Sequence, residues 1–159
     1  TPGACPGISA EETNQGGAIA VNLRDMAKLD VPVIAIITGE GCSGGALGLA
    51  VANKVFLLEH AHYTVISPEG CASILYRDAT KAADAANALK ITAQDLLKLG
   101  IIDGEIKEPL GGAHTDHKLM ADTIKETILS NLEELSKMSA TELKADRYNK
   151  FRGMGAFRE

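Results

Sequence analysis

The chain has 159 residues, of which 45% are hydrophobic and 23% charged, and its formal net charge is -5 at pH 7. This length and balance predict a soluble globular protein with one domain, or one domain with an appendage. The negative charge argues against nucleic acid or an anionic membrane as a partner. The sequence has no run of about 18 uncharged apolar residues and no signal-peptide pattern. We therefore expect a cytoplasmic protein without a membrane span.

The cysteines and histidines give no metal-binding pattern. Cys5, Cys42 and Cys71 form no C-x-x-C pair, and their odd number suits free thiols in a reducing compartment. The histidines form two close pairs, but no carboxylate or thiol stands at a spacing that completes a ligand set; the pairs are His60 with His62 and His114 with His117. We expect no metal site in this chain.

The chain begins with a loop, TPGACPGI, whose prolines and glycines follow no strand, so we expect a fragment of a longer protein. Ser9 and Glu12 match a capping box, and apolar residues then recur at helical spacing. This pattern predicts a helix over about residues 10–29. Gly16 and Gly17 weaken that helix, which suggests that another backbone approaches it closely.

A short buried strand follows at residues 31–38, because VPVIAIIT lacks polar alternation and is rich in β-branched residues. Such a strand is typical of a parallel sheet covered on both faces, and with its flanking helices it predicts βα layering. The later patterns predict a helix at 46–52, strands at 55–58 and 63–66, helices at 81–89 and 92–99, a strand at 101–106 and a long helix at 118–137.

The last segment, TELKADRYNKFRGMGAFRE, starts near a second capping box, formed by Ser139 and Glu142. Basic residues outnumber acidic residues in this segment, and we expect a solvated tail. The aromatic residues Tyr148, Phe151 and Phe157 add some weight to a contact with a partner.

Five of the twelve residues in GEGCSGGALGLA, at positions 39–50, are glycine, and this stretch directly follows the buried strand. A strand-to-helix turn can need glycines for close packing alone. A phosphate loop is poorly supported, because the lysine of G-x-x-x-x-G-K-[ST] is absent. A helix N-terminus after such a turn also presents free backbone N–H groups to an anion, and Gly44 and Gly45 stand at that position.

Residues 41–45 also match G-x-S-x-G, the turn that exposes a nucleophilic serine after a strand. Ser43 would be the nucleophile, and its base would come from one of the four histidines. Nothing in the sequence ties any histidine to Ser43. A serine hydrolase or peptidase therefore stays as the alternative function.

Four ordered motifs together resemble one family. TPGACPG, GEGCSGGALGLAVANKV, YTVISPEGCASILY and KITAQDLLKLGIIDGEIKEPLGGAH are similar to the carboxyltransferase α subunit of bacterial acetyl-CoA carboxylase. The resemblance covers about residues 1–150 and implies an α/β fold of the crotonase type, built from stacked ββα units. It implies a carboxyltransferase core at 1–115, truncated at its N-terminus, and a C-terminal helical extension at 116–159.

The resemblance also implies an activity and its partners. The reaction would transfer a carboxyl group from carboxybiotin, held on a biotin carboxyl carrier protein, to acetyl-CoA, and so form malonyl-CoA for fatty-acid synthesis. The α subunit would assemble with a β subunit as an α2β2 heterotetramer, beside a separate biotin carboxylase. Zinc would belong to the β subunit, and ATP would be used only in the biotin carboxylase step. The fragment alone would be inactive.

The resemblance further implies the site residues. The backbone amides of Gly44 and Gly45 would form an oxyanion hole, assigned to biotin rather than to the thioester. The residues expected to bind substrate or line the site are Gly41, Ser43, Ala46, Pro68, Glu69 and Gly70. Glu69 is equally compatible with an ordinary carboxylate on a solvent-facing turn.

Three positions depart from the family pattern. Cys5, Cys42 and Tyr76 stand where Tyr, Gly and Trp are expected. Cys42 would disturb the site only if that position required a positive φ, where a Cβ is costly. The net negative charge also leaves the phosphates of CoA without an obvious basic cradle in this chain, so we expect another segment or the β subunit to supply it.

Overall fold

A computed structural model describes residues 3–155 of the chain. The strands are β1 Ile34–Ile37, β2 Glu40–Cys42, β3 Lys54–Leu58, β4 His62–Thr64 and β5 Gly104–Ile106. The helices are α1 Ile8–Glu12, α2 Gln15–Lys28, α3 Ser43–Ala50, α4 Pro68–Tyr76, α5 Ala82–Leu89, α6 Ala93–Lys98, α7 His117–Leu135 and α8 Ala140–Gly153. Short 3-10 turns lie at Ala79–Lys81 and Ala113–Thr115.

The strands form two parallel sheets. The first has the order β1-β3-β5, with Ile34 opposite Lys54 and Phe56 opposite Gly104. The second pairs β2 with β4, and Gly41 lies opposite Tyr63. Parallel neighbours need a crossover connection, and here each crossover includes a helix.

The chain order is a repeat of ββα units. The first unit is β1-β2-α3 and the second is β3-β4-α4. The first strand of each unit joins one sheet and the second strand joins the other. The stacked ββα arrangement expected from the sequence is therefore present.

The core lies around β3, whose apolar residues are covered on both faces. Leu57 is fully buried, and Val55 and Leu58 are each 2% exposed. Side chains from β5, α6 and α7 complete the same cluster, including Ile106, Leu96 and Met120. The strand at β1 packs against this cluster but is only half-buried along its length.

The predicted helix over residues 10–29 is wrong in its continuity, because α1 and α2 are separated at Thr13 and Asn14. Asn14 takes a left-handed backbone with φ 58° and precedes α2. Ser9 and Glu12 form no capping box, since α1 starts at Ile8 and its N-cap, Gly7, has no side-chain bond.

The expectation that another backbone closely approaches the glycines of α2 is wrong. A Cβ on Gly16 would touch nothing within 4 Å. A Cβ on Gly17 would lie 2.2 Å from Oδ1 of Asn14, so the neighbour is a side chain of the preceding turn. Asn, with its short polar side chain, is one of the few residues that tolerates the left-handed conformation there.

The other predicted elements are confirmed with shifted ends, but β2 and α4 were not predicted. Ser67 is the N-cap of α4 and Pro68 its first residue, so Glu69 lies on the first turn of a helix. A proline at the first helical position is itself a helix-start signal. Strand β2 has only three residues, and its central Gly41 gave no strand signal in the sequence.

The C-terminal segment is not a solvated tail over its described part. The predicted capping box is confirmed: Nα of Ser139 donates to Oε2 of Glu142 at 2.7 Å, and Nα of Glu142 donates to Oγ of Ser139. The helix α8 that starts there carries Arg147, which is 1% exposed. Phe157 lies outside the described residues. The division at residue 115 stays a prediction, because packing of α7 and α8 on the core does not test it.

Candidate functional site

The glycine-rich stretch lies where β2 passes into α3. Cys42 ends β2, and Ser43, Gly44 and Gly45 form the first turn of α3. Because β2 and β4 are parallel, their carboxyl ends meet at the same edge of the sheet. The segment that follows β4 therefore leaves the sheet at the same edge as the glycine turn.

The amides of Gly44 and Gly45 belong to the first turn of α3, where backbone N–H groups have no acceptor within the helix. The helix dipole adds positive potential at this end. Both features are compatible with an oxygen that carries negative charge, and the oxyanion role of Gly44 and Gly45 stays a prediction.

Close packing is the second reason for the glycines. A Cβ on Gly44 would lie 3.3 Å from Cγ2 of Ile19 on α2, and a Cβ on Gly48 would lie 3.4 Å from Nδ2 of Asn22. Asn22 also donates from Nδ2 to the carbonyl of Gly48 at 2.5 Å. The packing and anion-site interpretations of this stretch are thus compatible, since the small residues bring α2 and α3 together behind the exposed amides.

The backbone strain at the turn falls on Ser43 and not on Cys42. Cys42 has φ -133°, an ordinary extended value, while Ser43 has φ 59°. The cysteine therefore places its Cβ without the cost that a positive φ would impose. The cysteine at residue 42 therefore imposes no unusual backbone conformation on the turn.

A cavity of about 420 Å³ borders the glycine turn. Its lining is almost entirely apolar and includes no charged side chain. The lining residues are Ser43, Gly44, Leu47, Ala50, Val55, Tyr63, Thr64, Val65, Leu89, Leu96, Leu99, Ile101, Phe151 and Met154. Such a cavity suits a largely apolar group that presents one or two polar atoms.

Tyr63 and Thr64 are polar residues of the cavity that the sequence did not single out, and Tyr63 is the larger of the two. It lies on β4 opposite Gly41, where a Cβ would come within 3.2 Å of its ring. Burial raises the pKa of Tyr63 above its ordinary value of 10.0, so the hydroxyl stays protonated and can donate. The register of β4 with β2 brings it to the site, and one sequence cannot reveal that register.

The other predicted site residues divide into two groups. Ser43 and Gly44 line the cavity, and Gly45 and the buried Ala46 continue the same turn of α3. Gly41 is buried in β2, where its lack of a side chain leaves room for Ile37 and Tyr63.

The second group lies at the start of α4 and does not line the cavity. Pro68 opens the helix, and Nα of Gly70 donates to Oγ of Ser67 at 3.1 Å, so that amide already has an acceptor. Glu69 is exposed on the first turn. A role for these three residues in the site stays a prediction.

Comparison with known families shows which family the chain belongs to. A family model described as acetyl co-enzyme A carboxylase carboxyltransferase-like matches residues 1–155. The chain belongs to this family. The motifs that carried the resemblance in the sequence are thus confirmed as family motifs.

The similarity to individual members of the carboxyltransferase family extends over the whole chain. The α subunit of acetyl-coenzyme A carboxylase carboxyl transferase from Geobacter metallireducens is 57% identical over 159 residues, all of this chain and 50% of the relative. The same subunit from Protochlamydia amoebophila is 54% identical over the same span, again 50% of its length. The chain therefore spans about half the length of these curated relatives.

Solved structures support the fold. A Pseudomonas malonate decarboxylase hetero-tetramer matches with a TM-score of 0.74 and 15% identity, covering 96% of this chain and 60% of the other. Transcarboxylase 12S matches with a TM-score of 0.70 and 21% identity, covering 86% of this chain and 26% of the other. An enoyl-CoA hydratase from Mycobacterium thermoresistibile matches with a TM-score of 0.51 and 17% identity, covering 84% of this chain and 54% of the other. These matches confirm the crotonase-like fold.

The serine hydrolase alternative finds no support from the carboxyltransferase family or from the site. Ser43 follows a strand and has the left-handed backbone of a nucleophile turn, but within residues 3–155 no histidine is hydrogen-bonded to it. His60 instead lies beside Glu108, with Nδ1 at 3.5 Å from Oε1. No histidine lines the described cavity.

Residues 3–155 contain no group of three or more His, Cys, Asp or Glu side chains that could hold a metal ion. Among the same residues, no helix has the length and apolar character needed to cross a membrane.

Proposed function

We propose that this chain provides part of a biotin-dependent carboxyltransferase site that transfers a carboxyl group from carboxybiotin to acetyl-CoA and forms malonyl-CoA. The observation that carries the proposal is the first turn of α3, where Gly44 borders an apolar cavity and Gly45 follows it, in a chain of the carboxyltransferase family. The curated relatives that match the whole chain are α subunits of acetyl-coenzyme A carboxylase carboxyl transferase.

The chemistry requires donors for a developing negative charge, and it requires no side-chain nucleophile. Cleavage of the N–carboxyl bond of carboxybiotin places negative charge on the ureido oxygen, and the freed ureido nitrogen takes the proton that the acetyl methyl loses. Loss of that proton places charge on the thioester oxygen, and the resulting enolate carbon forms the new bond to the released carboxyl group. The amides of Gly44 and Gly45 are held by the helix and need little rearrangement to bind such an oxygen. Removal of one donor from an oxyanion hole typically raises the barrier by about 2.7–4 kcal/mol.

The cavity fits biotin better than it fits CoA. Its apolar lining suits a bicyclic ring with an aliphatic chain, and the glycine turn at its wall suits the ureido oxygen. CoA carries phosphates, and no charged side chain lines this cavity. We therefore assign this oxyanion hole to biotin and assign the phosphate cradle of CoA to the β subunit or to a segment beyond these 159 residues.

The assembly is part of the proposal. The α chain acts with a zinc-containing β subunit in an α2β2 heterotetramer, in the cytoplasm, and receives carboxybiotin on the biotin carboxyl carrier protein. A separate biotin carboxylase uses ATP to load that carrier. Gly41, Ser43, Ala46 and Tyr63 shape the site, and Pro68, Glu69 and Gly70 approach it from the neighbouring helix start.

Substitutions of Gly45 in the complete enzyme test the proposal. Gly45→Pro removes the N–H, whereas Gly45→Ala keeps it, and an added Cβ would meet only ordinary contacts of 3.7–3.8 Å with Gly3 and Ala4. We expect proline to lower kcat by ~100-fold or more, while alanine keeps kcat within about 10-fold. Steady-state carboxyl transfer gives the rates, and circular dichroism melts followed in parallel report whether each variant is folded.

The alanine variant is the matched control, because Gly45 does not have a positive φ and alanine adds no backbone strain there. A folded proline variant with near-normal kcat would contradict the oxyanion role of this amide. The glycine turn would then serve packing alone.

A further inference from the structure

Arg147 is a buried cation that neither the family motifs nor the glycine turn explains. It lies on α8 and is 1% exposed. Its guanidinium donates from Nη1 to the carbonyls of Met26 at 3.0 Å and Leu29 at 2.8 Å, and from Nη2 to Val31 at 3.1 Å. Free carbonyls and the negative end of the helix dipole occur at a helix C-terminus, so Arg147 holds α8 against the end of α2.

Asn53 extends this link to the sheet. Nη2 of Arg147 donates to Oδ1 of Asn53 at 2.8 Å, and Nα of Val33, just before β1, donates to the same oxygen at 3.2 Å. Nδ2 of Asn53 donates back to the carbonyl of Leu143 on α8 at 2.9 Å. Because Asn53 is 2% exposed, these bonds form away from water, where an unpaired group is costly.

The next turn of α8 reaches the cavity. Phe151 stands four residues after Arg147, on the same helix face, and Met154 follows the end of the helix. Both line the cavity that Ser43 and Gly44 border. The other element held by Arg147, α2, packs behind the glycine turn through Ile19.

We infer that Arg147 is a positioning residue for the cavity: it fixes α8 so that Phe151 and Met154 form a wall facing the glycine turn. This inference rests on the proposed function only in taking the cavity as the biotin site. Lysine cannot replace arginine here, because one ammonium cannot reach the carbonyls of α2 and Asn53 at the same time.

The test uses the complete carboxyltransferase and three α-chain variants. Arg147→Lys and Phe151→Ala should each raise KM for free biotin by ~10-fold, the effect of losing apolar contact in a pocket, with KM for the CoA substrate unchanged. In the double variant the two effects should not add, because Arg147 acts through Phe151. Leu135→Ala is the matched control, since Leu135 is 1% exposed but does not line the cavity. It should lower the melting temperature and leave both KM values unchanged.

Hydrogen exchange gives a readout that does not depend on turnover. Arg147→Lys should speed amide exchange across residues 148–155, while Leu135→Ala should not. If Arg147→Lys lowers only the melting temperature, as Leu135→Ala does, or if its effect on KM adds fully to that of Phe151→Ala, the positioning role is refuted. An inactive parent complex would instead refute the proposed function, and exchange would still decide whether Arg147 holds α8 at the cavity.

Discussion

Ser43 occupies the one position of the glycine turn where a side chain is held on a strained backbone. Its φ of 59° lies in the left-handed region, which costs a residue with a Cβ about 1–2 kcal/mol. Strain of this kind often accompanies a functional turn. Here the turn presents amides, and the hydroxyl of Ser43 has no histidine partner within the described residues.

Substitution and labelling of Ser43 distinguish a turn residue from a nucleophile. Ser43→Ala in the complete enzyme should keep at least about half of the carboxyl-transfer rate, because loss of a spectator hydroxyl costs little. A fluorophosphonate probe should leave Ser43 of the parent unlabelled, as judged by intact mass. Rapid stoichiometric labelling at Ser43 would restore the hydrolase hypothesis.

Tyr63 gives the second prediction. Tyr63 lines the cavity, and burial raises its pKa above 10.0, so its hydroxyl is a neutral donor at physiological pH. Tyr63→Phe should raise KM for free biotin several-fold, about the effect of one neutral hydrogen bond of ~1 kcal/mol. The ratio of parent to variant activity should stay constant from about pH 7 to 9, because the hydroxyl does not titrate in that window. A ratio that changes steeply within this range would contradict a neutral donor.

At the scale of elements, the break between α1 and α2 shows how a local side chain can override helical periodicity. The apolar repeat continues through residues 10–29, but Asn14 turns the chain into the left-handed region and starts a new helix. Its side chain then occupies the space beside Gly17. Periodicity reports which face is apolar and does not report whether the helix is continuous.

The two glycines of α2 form a matched pair for the third prediction. Gly16→Ala should raise the free energy of unfolding by about 0.5–1 kcal/mol, because alanine is the better helix former and a Cβ there meets nothing within 4 Å. Gly17→Ala should gain less or lose stability, because its Cβ would displace the Asn14 side chain. Urea unfolding of both variants checks this, and equal gains would show that Asn14 does not occupy that space.

At the scale of the whole molecule, the two parallel sheets bring together segments that are distant in sequence. The starts of α3 and α4 leave the same sheet edge because β2 and β4 pair in parallel. The cavity also takes residues from α5, α6 and the end of α8. The cavity wall is therefore assembled from segments that span residues 43–154 of the sequence.

Formation of malonyl-CoA should require more of the α chain than these 159 residues. We expect residues 1–159, even with the β subunit, to form no malonyl-CoA from acetyl-CoA and carboxybiotin, whereas an α chain of the relatives' full length with the β subunit does. The reason is that the described cavity lacks charged side chains for CoA, and this chain spans about half of its relatives. Product formation can be followed by mass spectrometry, and turnover by these residues alone would refute the shared site.

The sequence by itself indicated the family through the resemblance of four ordered motifs, and that resemblance implied the ββα fold. The buried apolar strand, the glycine turn and the helix start indicated only βα layering, because they are short-range patterns. The oxyanion role of Gly44 and Gly45 stays a prediction. The capping box at Ser139 could also be predicted from the sequence, because both of its residues lie within one helical turn.

The tertiary structure alone decided which distant groups share the site. The position of Tyr63 depends on the register of β4 with β2, and the buried state of Arg147 depends on carbonyls more than 100 residues away in sequence, with separations of 121 to Met26 and 116 to Val31. In the sequence Arg147 was one charge in a basic segment, which is normally solvated. Long-range hydrogen bonds offset the cost of burying that cation, and such bonds have no local sequence pattern.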